Sequence, residues 1–396
     1  MGYINFKEEL CVANIQLEKR RKNNINANEL LLKNKNTLPN YKPCEKYSFK
    51  VNEDLFVGKE GLLREEEFYE LKNKDILSAK FINCKFYNVK FKDCNIIGCC
   101  FERCDFGGGG VIFENCKFVK EESDMLPALN KKDNLSCSFY HCSLYCKFKM
   151  GKASYLIFEK CLLENTNFEN IDLSNIISKE CDFNKIEMKD VNLSGAKFVN
   201  CYMEDFTFND LDKSKLDTKT FFDKVKCRRK TRDEYEGLYK YYEDLADKFL
   251  ENNLRNNYGE YYYLCNKEKR KTLDFIPKIA SDLYLVTCGY GERPWYSVIS
   301  SLIIIAVFAF LFLCVGLEVQ GEELKYSIEY FRSKSVLDMI KDYNKMLLLS
   351  SSTFGGVGME HTIQNQLGYI IENLEIVFGV GMMAIGAGTL TRKIIR

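Results

Sequence analysis

Histidine is almost missing from this 396-residue chain, which carries two, His141 and His361. Residues 79–212 offer no Ser/His/Asp or Cys/His constellation in a workable order, no phosphate-binding glycine motif and, with cysteines on a regular period and so few histidines, no zinc-ligand pattern, which argues against hydrolytic, nucleotide and zinc chemistry. No catalytic residue, metal site or cofactor is assigned, and the chain is not read as an enzyme. Charge of one sign is missing too. Lys and Arg number 57 against 56 Asp and Glu, a net +1, which leaves no basic excess to neutralise phosphates and argues against nucleic acid as a partner. An apolar leader is lacking: residues 1–30 are polar and charged. Met1-Gly2-Tyr3-Ile4-Asn5-Phe6 has no Ser or Thr at the sixth position that myristoylation favours. The soluble part is therefore expected in the cytoplasm. No arginine-rich helix precedes the apolar segments, which argues against strong voltage gating.

Cysteine, by contrast, is plentiful, at 18. The spacing decides what it means. Cys84, Cys94, Cys99 and Cys104 fall at multiples of five, as do Cys161, Cys181 and Cys201, and each sits two residues before a Phe, Ile, Leu or Met. Such regularity fits small buried thiols in a reducing compartment rather than metal ligands or disulfides.

The same five-residue period runs through the large apolar residues. It includes Phe81, Phe86, Phe91, Ile96, Phe101 and Phe106. It resumes at Phe158, Leu163, Phe168 and Leu173, then at Phe183, Met188, Leu193, Phe198, Met203 and Phe208, with Ser178 alone out of character. Shorter pieces (Phe113, Phe118; Phe139, Leu144) bridge the blocks, and the phase breaks at Gly107–Gly110 and Lys120–Asn134 read as loops. Five matches neither a helix nor a strand period; it fits a coil with four faces and one pentapeptide per face. Residues 79–212 thus resemble the pentapeptide-repeat family. The resemblance implies a right-handed quadrilateral β-helix whose Phe/Leu position and smaller residue two earlier both point inward. Coils of this kind stack at strand spacing, bury their faces only against neighbours, and need caps. The segment 1–75 and the helices after 219 are expected to supply them. Some relatives mimic duplex DNA, which requires a strongly acidic surface. Here acids and bases alternate (Lys179, Glu180, Asp182, Lys185, Glu187, Lys189, Asp190), so a scaffold or sensor role is expected instead.

Beyond the repeats, Tyr235, Leu238, Tyr242, Leu245 and Phe249 recur at three and four, the stripe of an amphipathic helix. Asn-rich residues 252–257 break it, and a second helix is predicted through Tyr258, Tyr261, Tyr262 and Cys265 to Lys267–Lys271. The aromatic stripe is read as core, with a subunit contact or gating linker as the functional alternative. Thr287-Cys-Gly-Tyr-Gly291 looks like the Thr-Val-Gly-Tyr-Gly filter of potassium channels. No long apolar run precedes it, however, and Glu292 and Arg293 follow, so it is read as a turn into the first membrane helix.

That helix is Trp295 to Leu317, 23 residues without a charge, long enough to cross a bilayer, with Trp295 and Tyr296 as interface markers. A second apolar run, Ile376 to Leu390, lies among the 16 uncharged residues between Glu375 and Arg392. Basic residues flank the pair on the outside (Lys267–Lys271, Lys278, Arg293; Arg392, Lys393, Arg396), and the segment between them is acidic (Glu318, Glu322, Glu323, Glu329, Asp338, Asp342, Glu360). The positive-inside rule then puts both termini in the cytoplasm of a multi-pass protein in the plasma or inner membrane. Between the spans, an amphipathic segment beginning near Tyr343 runs into a Ser/Thr/Gly loop. At membrane depth such backbone is tolerated where it lines water or is buried in protein.

The order of parts from 79 to 396 is similar to bacterial pentapeptide-repeat proteins fused to a two-helix ion-channel domain. The domains are read as an N-terminal cap and charged region (1–75), the β-helix (76–218), a helical linker (219–292) and an all-α pore domain (293–396). The pore domain has spans at about 295–317 and 373–391, a pore helix at about 337–352 and a filter loop at 353–360. Potassium channels of this class often read Ser-Thr-Phe-Thr-Thr-Val-Gly-Phe-Gly-Asp, and the match holds at Ser352, Thr353, Phe354, Val357 and Gly358. The resemblance assigns a selectivity filter to Thr353, Phe354, Gly355, Gly356, Val357, Gly358, Met359 and Glu360. Gly356 removes the filter threonine's hydroxyl, Met359 replaces the aromatic wedge, and Glu360 replaces the second glycine. Four Glu360 carboxylates would ring the outer mouth and attract cations. The pore helix would aim its negative end, near Ser350–Ser352, at the cavity. Glu375 is expected to support the loop from behind. Gly379 and Gly381 are candidate hinge positions on the inner helix, as Gly386 and Gly388 could also be, although close packing is the preferred use. One loop and two spans cannot enclose an ion path, so a homotetramer in a lipid bilayer is implied. The expected function is a weakly selective channel for potassium or sodium with a cytoplasmic sensor or scaffold for an unknown ligand or protein. The alternative is a non-conducting, membrane-anchored scaffold.

Overall fold

The computed structural model describes residues 4–33, 41–120, 135–319, 322–324, 326, 335–357, 361–362 and 366–395. The chain divides into two compact units, Met1–Thr272 and Leu273–Arg396.

The first unit is a parallel β-solenoid. In its regular part each strand pairs with the one twenty residues on: Ile157 opposes Ile177, Leu162 opposes Asp182, Asn167 opposes Glu187. Each coil therefore takes four pentapeptides. One face stacks eight strands, from Val51–Glu53 to Phe221–Phe222. The stack begins earlier than the predicted 76, because Val51–Glu53, Phe56–Gly58 and Tyr69–Lys72 pair with the coil above. Period five hides this coil: its inward slots hold Asn52, Val57 and Leu71, with extra residues between them. Of the predicted loops, Gly107–Gly110 joins Phe106 to the strand at Val111–Glu114, whereas 121–134 lies outside the described residues.

Stacking coils brings like side chains into ladders. Phe81, Phe101, Phe139 and Phe158 lie face to face at 5.0, 4.8 and 5.1 Å. Phe91, Phe113, Phe148 and Phe168 repeat this at 5.0, 4.9 and 5.0 Å. These separations are the strand spacing itself, and each pair adds about 0.5–1.5 kcal/mol beyond burial. The axis is filled: the void among Phe81, Phe86, Phe91 and Phe101 is about 10 Å³, room for one water at most. The thiols occupy the smaller slot, buried and free of disulfides. They donate to carbonyls of the coil below, Cys94 to Leu71 at 3.1 Å and Cys161 to Phe139 at 3.3 Å. Thr166 does the same to Leu144 at 3.0 Å. Two residues after most large slots the chain turns in the left-handed region: Asn83, Asn88, Asp93, Asn165, Asn170 and Asn200 all have φ of 46–52°. Asn and Asp tolerate that conformation better than other side chains.

Helix α1 (Phe6–Lys33) is not the end cap expected of residues 1–75. Its 28 residues run along the flank of the solenoid. Phe6 meets Phe221 of the last coil, Leu17 covers Ile157 and Ile177, and Ala27 and Leu31 cover Leu77 and Ile97 near the first. Arg21 pairs with Glu159, and Arg20 donates to the Tyr155 carbonyl at 3.1 Å; burial lowers the Arg20 pKa to about 10. The far end is capped by α2 (Arg232–Glu251) and α3 (Arg255–Lys269). Tyr261 hydroxyl accepts from the Phe222 N–H at 2.9 Å and donates to its carbonyl at 2.8 Å, while Tyr242 hydroxyl accepts from the Val225 N–H at 2.9 Å. These bonds satisfy the edge that an uncapped strand would leave open. Leu238, Tyr242, Leu245 and Phe249 are buried, as the core reading of that stripe requires.

The predicted linker 219–292 is not one element. α2 and α3 belong to the first unit, and α4 (Phe275–Cys288) belongs to the second. There it is followed by α5 (Pro294–Val315), α6 (Val336–Phe354) and α7 (Gln366–Ile395).

Ser178 sits in line with Phe158 and Phe198, and its buried hydroxyl has no hydrogen-bond partner among the described residues. Ser178→Ala removes that unpaired group and is expected to stabilise the solenoid by about 1 kcal/mol in denaturant melts. Leu17→Ala strips the contact between α1 and the solenoid and should cost about 2–3 kcal/mol in the same assay.

Candidate functional site

The second unit contains two helices long and apolar enough to cross a bilayer, Pro294–Val315 with mean hydropathy 3.0 and Gln366–Ile394 with 1.6. α5 opens with Pro at its first turn, where no N–H is needed, and ends where Gly316 adopts φ 86°. α7 starts seven residues before the predicted 373. Glu372, Asn373 and Glu375 hid its first turns from a hydropathy reading, yet they suit a helix well enough once it is packed.

α6 lies between them in sequence and against both in space. Ser335 caps it, accepting from the Leu337 N–H at 3.3 Å. Its buried side carries Met346, Leu349, Ser350, Thr353 and Phe354, a 3–4 spacing that meets Phe308, Ala309, Phe312 and Leu313 of α5. Tyr343 hydroxyl donates to the Ala306 carbonyl at 3.0 Å and Ser350 hydroxyl to the Ile305 carbonyl at 2.9 Å. Tyr326 hydroxyl donates to Asp342 at 2.6 Å. α6 is longer than the predicted 337–352: Thr353 and Phe354 form its last turn, and the loop begins at Gly355, whose N–H still bonds the Ser351 carbonyl at 3.0 Å.

Of the eight predicted filter residues, Thr353 and Phe354 are thus helical and buried, while Gly355, Gly356 and Val357 are exposed, Val357 by 83%. Gly356 has φ 67°, a left-handed corner that suits glycine. Gly358, Met359 and Glu360 lie outside the described residues. Glu375 is fully buried against the last turns of α6, one oxygen within hydrogen-bond distance of the Ser350 hydroxyl, whose single proton it shares with the Ile305 carbonyl; its second oxygen has no hydrogen-bond partner among the described residues. Gly379 comes so close to the Phe354 carbonyl that a Cβ there would collide with backbone. It is a packing glycine that lets α7 touch the end of α6. Gly381 faces open space.

Two features carried no sequence motif. Glu292, fully buried, pairs with Arg392 at 3.2 Å and ties the turn after α4 to the far end of α7. The turn itself, Gly289–Gly291 with φ of 54, 57 and 80°, is the one predicted for the filter look-alike. In the first unit, a cleft of about 620 Å³ separates part of α1 from the solenoid, lined by Ile25, Leu32, Val51, Lys80, Tyr140 and His141. Of its cations, Lys80 pairs with Glu102 at 3.0 Å and Arg21 with Glu159, while Lys50 donates to the Glu45 carbonyl at 2.6 Å. Pairs twenty or more residues apart, or on different elements, leave no local signature.

Gly379→Ala is expected to destabilise the second unit by about 2 kcal/mol or more, because the added methyl meets unyielding backbone. Gly381→Ala, with open space, should be silent. Thermal unfolding of the detergent-solubilised full chain distinguishes the two.

Comparison with known proteins bears on the first unit. A family model for pentapeptide repeats (9 copies) matches residues 81–121. No curated protein matches the chain. Among solved structures it is similar to two trypsin-treated forms of QnrB1, a plasmid-mediated fluoroquinolone resistance protein. Both are 14% identical with TM-score 0.17, covering 42% and 43% of this chain and 91% of theirs. Full-length QnrB1 is 16% identical with TM-score 0.12, over 42% of this chain and 94% of that one. The chain carries pentapeptide repeats folded as a β-solenoid, followed by helices of which two are long and apolar enough to span a membrane.

Proposed function

We propose that the protein is a cation channel, a homotetramer in the cell membrane with both termini in the cytoplasm and the solenoid as its sensor or scaffold domain. The arrangement of α6 carries this reading. A short amphipathic helix is lodged against two span-length helices, and its carbonyl end runs into the exposed loop Gly355–Val357. The support behind it, Glu375 on Ser350 and Gly379 on Phe354, suits a loop that must hold its backbone still. Loop carbonyls can replace an ion's water shell, and the negative end of α6 favours a cation beside it. One subunit leaves the loop uncovered, so four copies around an axis complete the path. With Gly356 in place of the filter threonine, selectivity between potassium and sodium is weak, and the Glu360 ring concentrates cations at the mouth. The solenoid's filled axis keeps it out of the conduction path. Its cleft beside α1 is the candidate place for a cytoplasmic ligand.

Recording from the purified protein in a planar bilayer, with potassium on one side and sodium on the other, tests this. A cation current reversing near zero is expected, and Glu360→Gln should lower its conductance several-fold. A current unchanged by Glu360→Gln removes the ring from the mechanism. An intact assembly that stays silent under all conditions favours the alternative, an anchored scaffold.

A further inference from the structure

Helix α4 is amphipathic the wrong way round for a soluble protein. At helical spacing, Phe275, Ile276, Ile279, Leu283 and Val286 fall within an arc of roughly 100°, and no charged residue falls inside it. This apolar arc is the exposed one: those residues are 78, 78, 46, 61 and 60% exposed. The covered side is the more polar. There Ser281 shares a hydrogen bond with the Tyr290 hydroxyl at 2.8 Å, and Cys288 is buried. Ser300 of α5 donates to the Val286 carbonyl at 2.8 Å, which fixes the end of α4 to the start of the first candidate span.

We propose that α4 lies in the plane of the membrane surface, with this arc set among the acyl chains just beneath the lipid headgroups. The inference rests on the reading of α5 as a span. Three observations choose lipid as the occupant. After the turn at Gly289–Gly291 the chain enters α5, whose first turns carry a second exposed apolar band in which Trp295, Val298, Ile299 and Leu302 are each 47–69% exposed, and the Ser300 bond to the Val286 carbonyl holds the two helices together. An apolar face of this size left to water would be a liability in solution. On the side of the arc bordered by the half-buried Asp282, Lys278 lies roughly 60° past the arc's edge and is exposed, and its long stem can lie along acyl chains while its ammonium reaches the headgroups. Helices of this pattern sit about 5–10 Å into the interface.

The chain's single tryptophan, Trp295, makes the test direct. The full-length protein is reconstituted into vesicles of phosphatidylcholine and phosphatidylglycerol, with and without phosphatidylcholine brominated near the headgroup end of its acyl chain. The wild type reports on Trp295 at the span. Ile279→Trp in a Trp295→Phe background reports on α4 alone, and Leu283→Trp in the same background serves if the first variant does not fold. The proposal expects brominated lipid to quench the α4 probe clearly, since its depth of about 5–10 Å matches a bromine near the headgroup end of the chain, and aqueous acrylamide to leave that emission nearly unchanged. Quenching of wild-type Trp295 by brominated lipid, with none of the α4 probe, overturns the proposal while leaving the membrane reading standing. The arc would then face water if acrylamide quenches the probe, or another subunit if it does not. If brominated lipid quenches neither, the membrane reading falls and the proposal with it.

Discussion

Everything in the first unit depends on coils stacking at the spacing of hydrogen-bonded parallel strands. That spacing, about 4.8 Å, is close to the thickness of an aromatic ring pair in offset contact. The phenylalanine ladders therefore cost no distortion of the backbone that carries them. The same repeat lets a thiol or threonine hydroxyl in the smaller slot reach the carbonyl of the coil below. It also places an Asn or Asp at the left-handed corners of many faces. Backbone pairing, aromatic contact, thiol donation and corner conformation are one constraint expressed four times. The five-residue period makes it visible because no other secondary structure shares it.

A rod built this way has open ends and open sides, and the molecule deals with both. At one end, tyrosine hydroxyls of α2 and α3 bond the backbone of the last coil, Tyr242 accepting from Val225 and Tyr261 both accepting from and donating to Phe222, and burial pushes both phenols upward, which keeps them protonated. Along one side, α1 covers outward-facing apolar residues. Ile157 and Ile177 each stand one position before a large inward slot, where most coils place a polar residue. Those two isoleucines were the available sign that something packs on this face. What packs there could not be read from them, because the partner lies more than a hundred residues away in the chain.

In the second unit the governing interaction is the seating of α6 against α5 and α7. Small and hydroxylated residues allow it: Ser350 bonds the α5 backbone and Glu375 together, and Gly379 admits the carbonyl of Phe354. Without a side chain at Gly379 the two helices can approach to backbone contact, the usual way helices associate where lipid supplies no hydrophobic drive.

Sequence alone determined the repeat architecture, the residues of its interior, the aromatic stripe of α2 and the existence of two span-length helices. Each of these is a periodic or compositional property, repeated over many residues and so robust to single exceptions such as Ser178. It also singled out Glu375 and Gly379 as positions of interest. Only the tertiary structure decided that the solenoid starts near residue 51 and that α1 is a flank rather than a cap. Only there do Thr353 and Phe354 close a helix instead of opening a loop, and only there does Glu292 meet Arg392. These are matters of single contacts between distant segments. Periodicity is blind to them because each is made once, by residues whose neighbours in sequence say nothing about their neighbours in space.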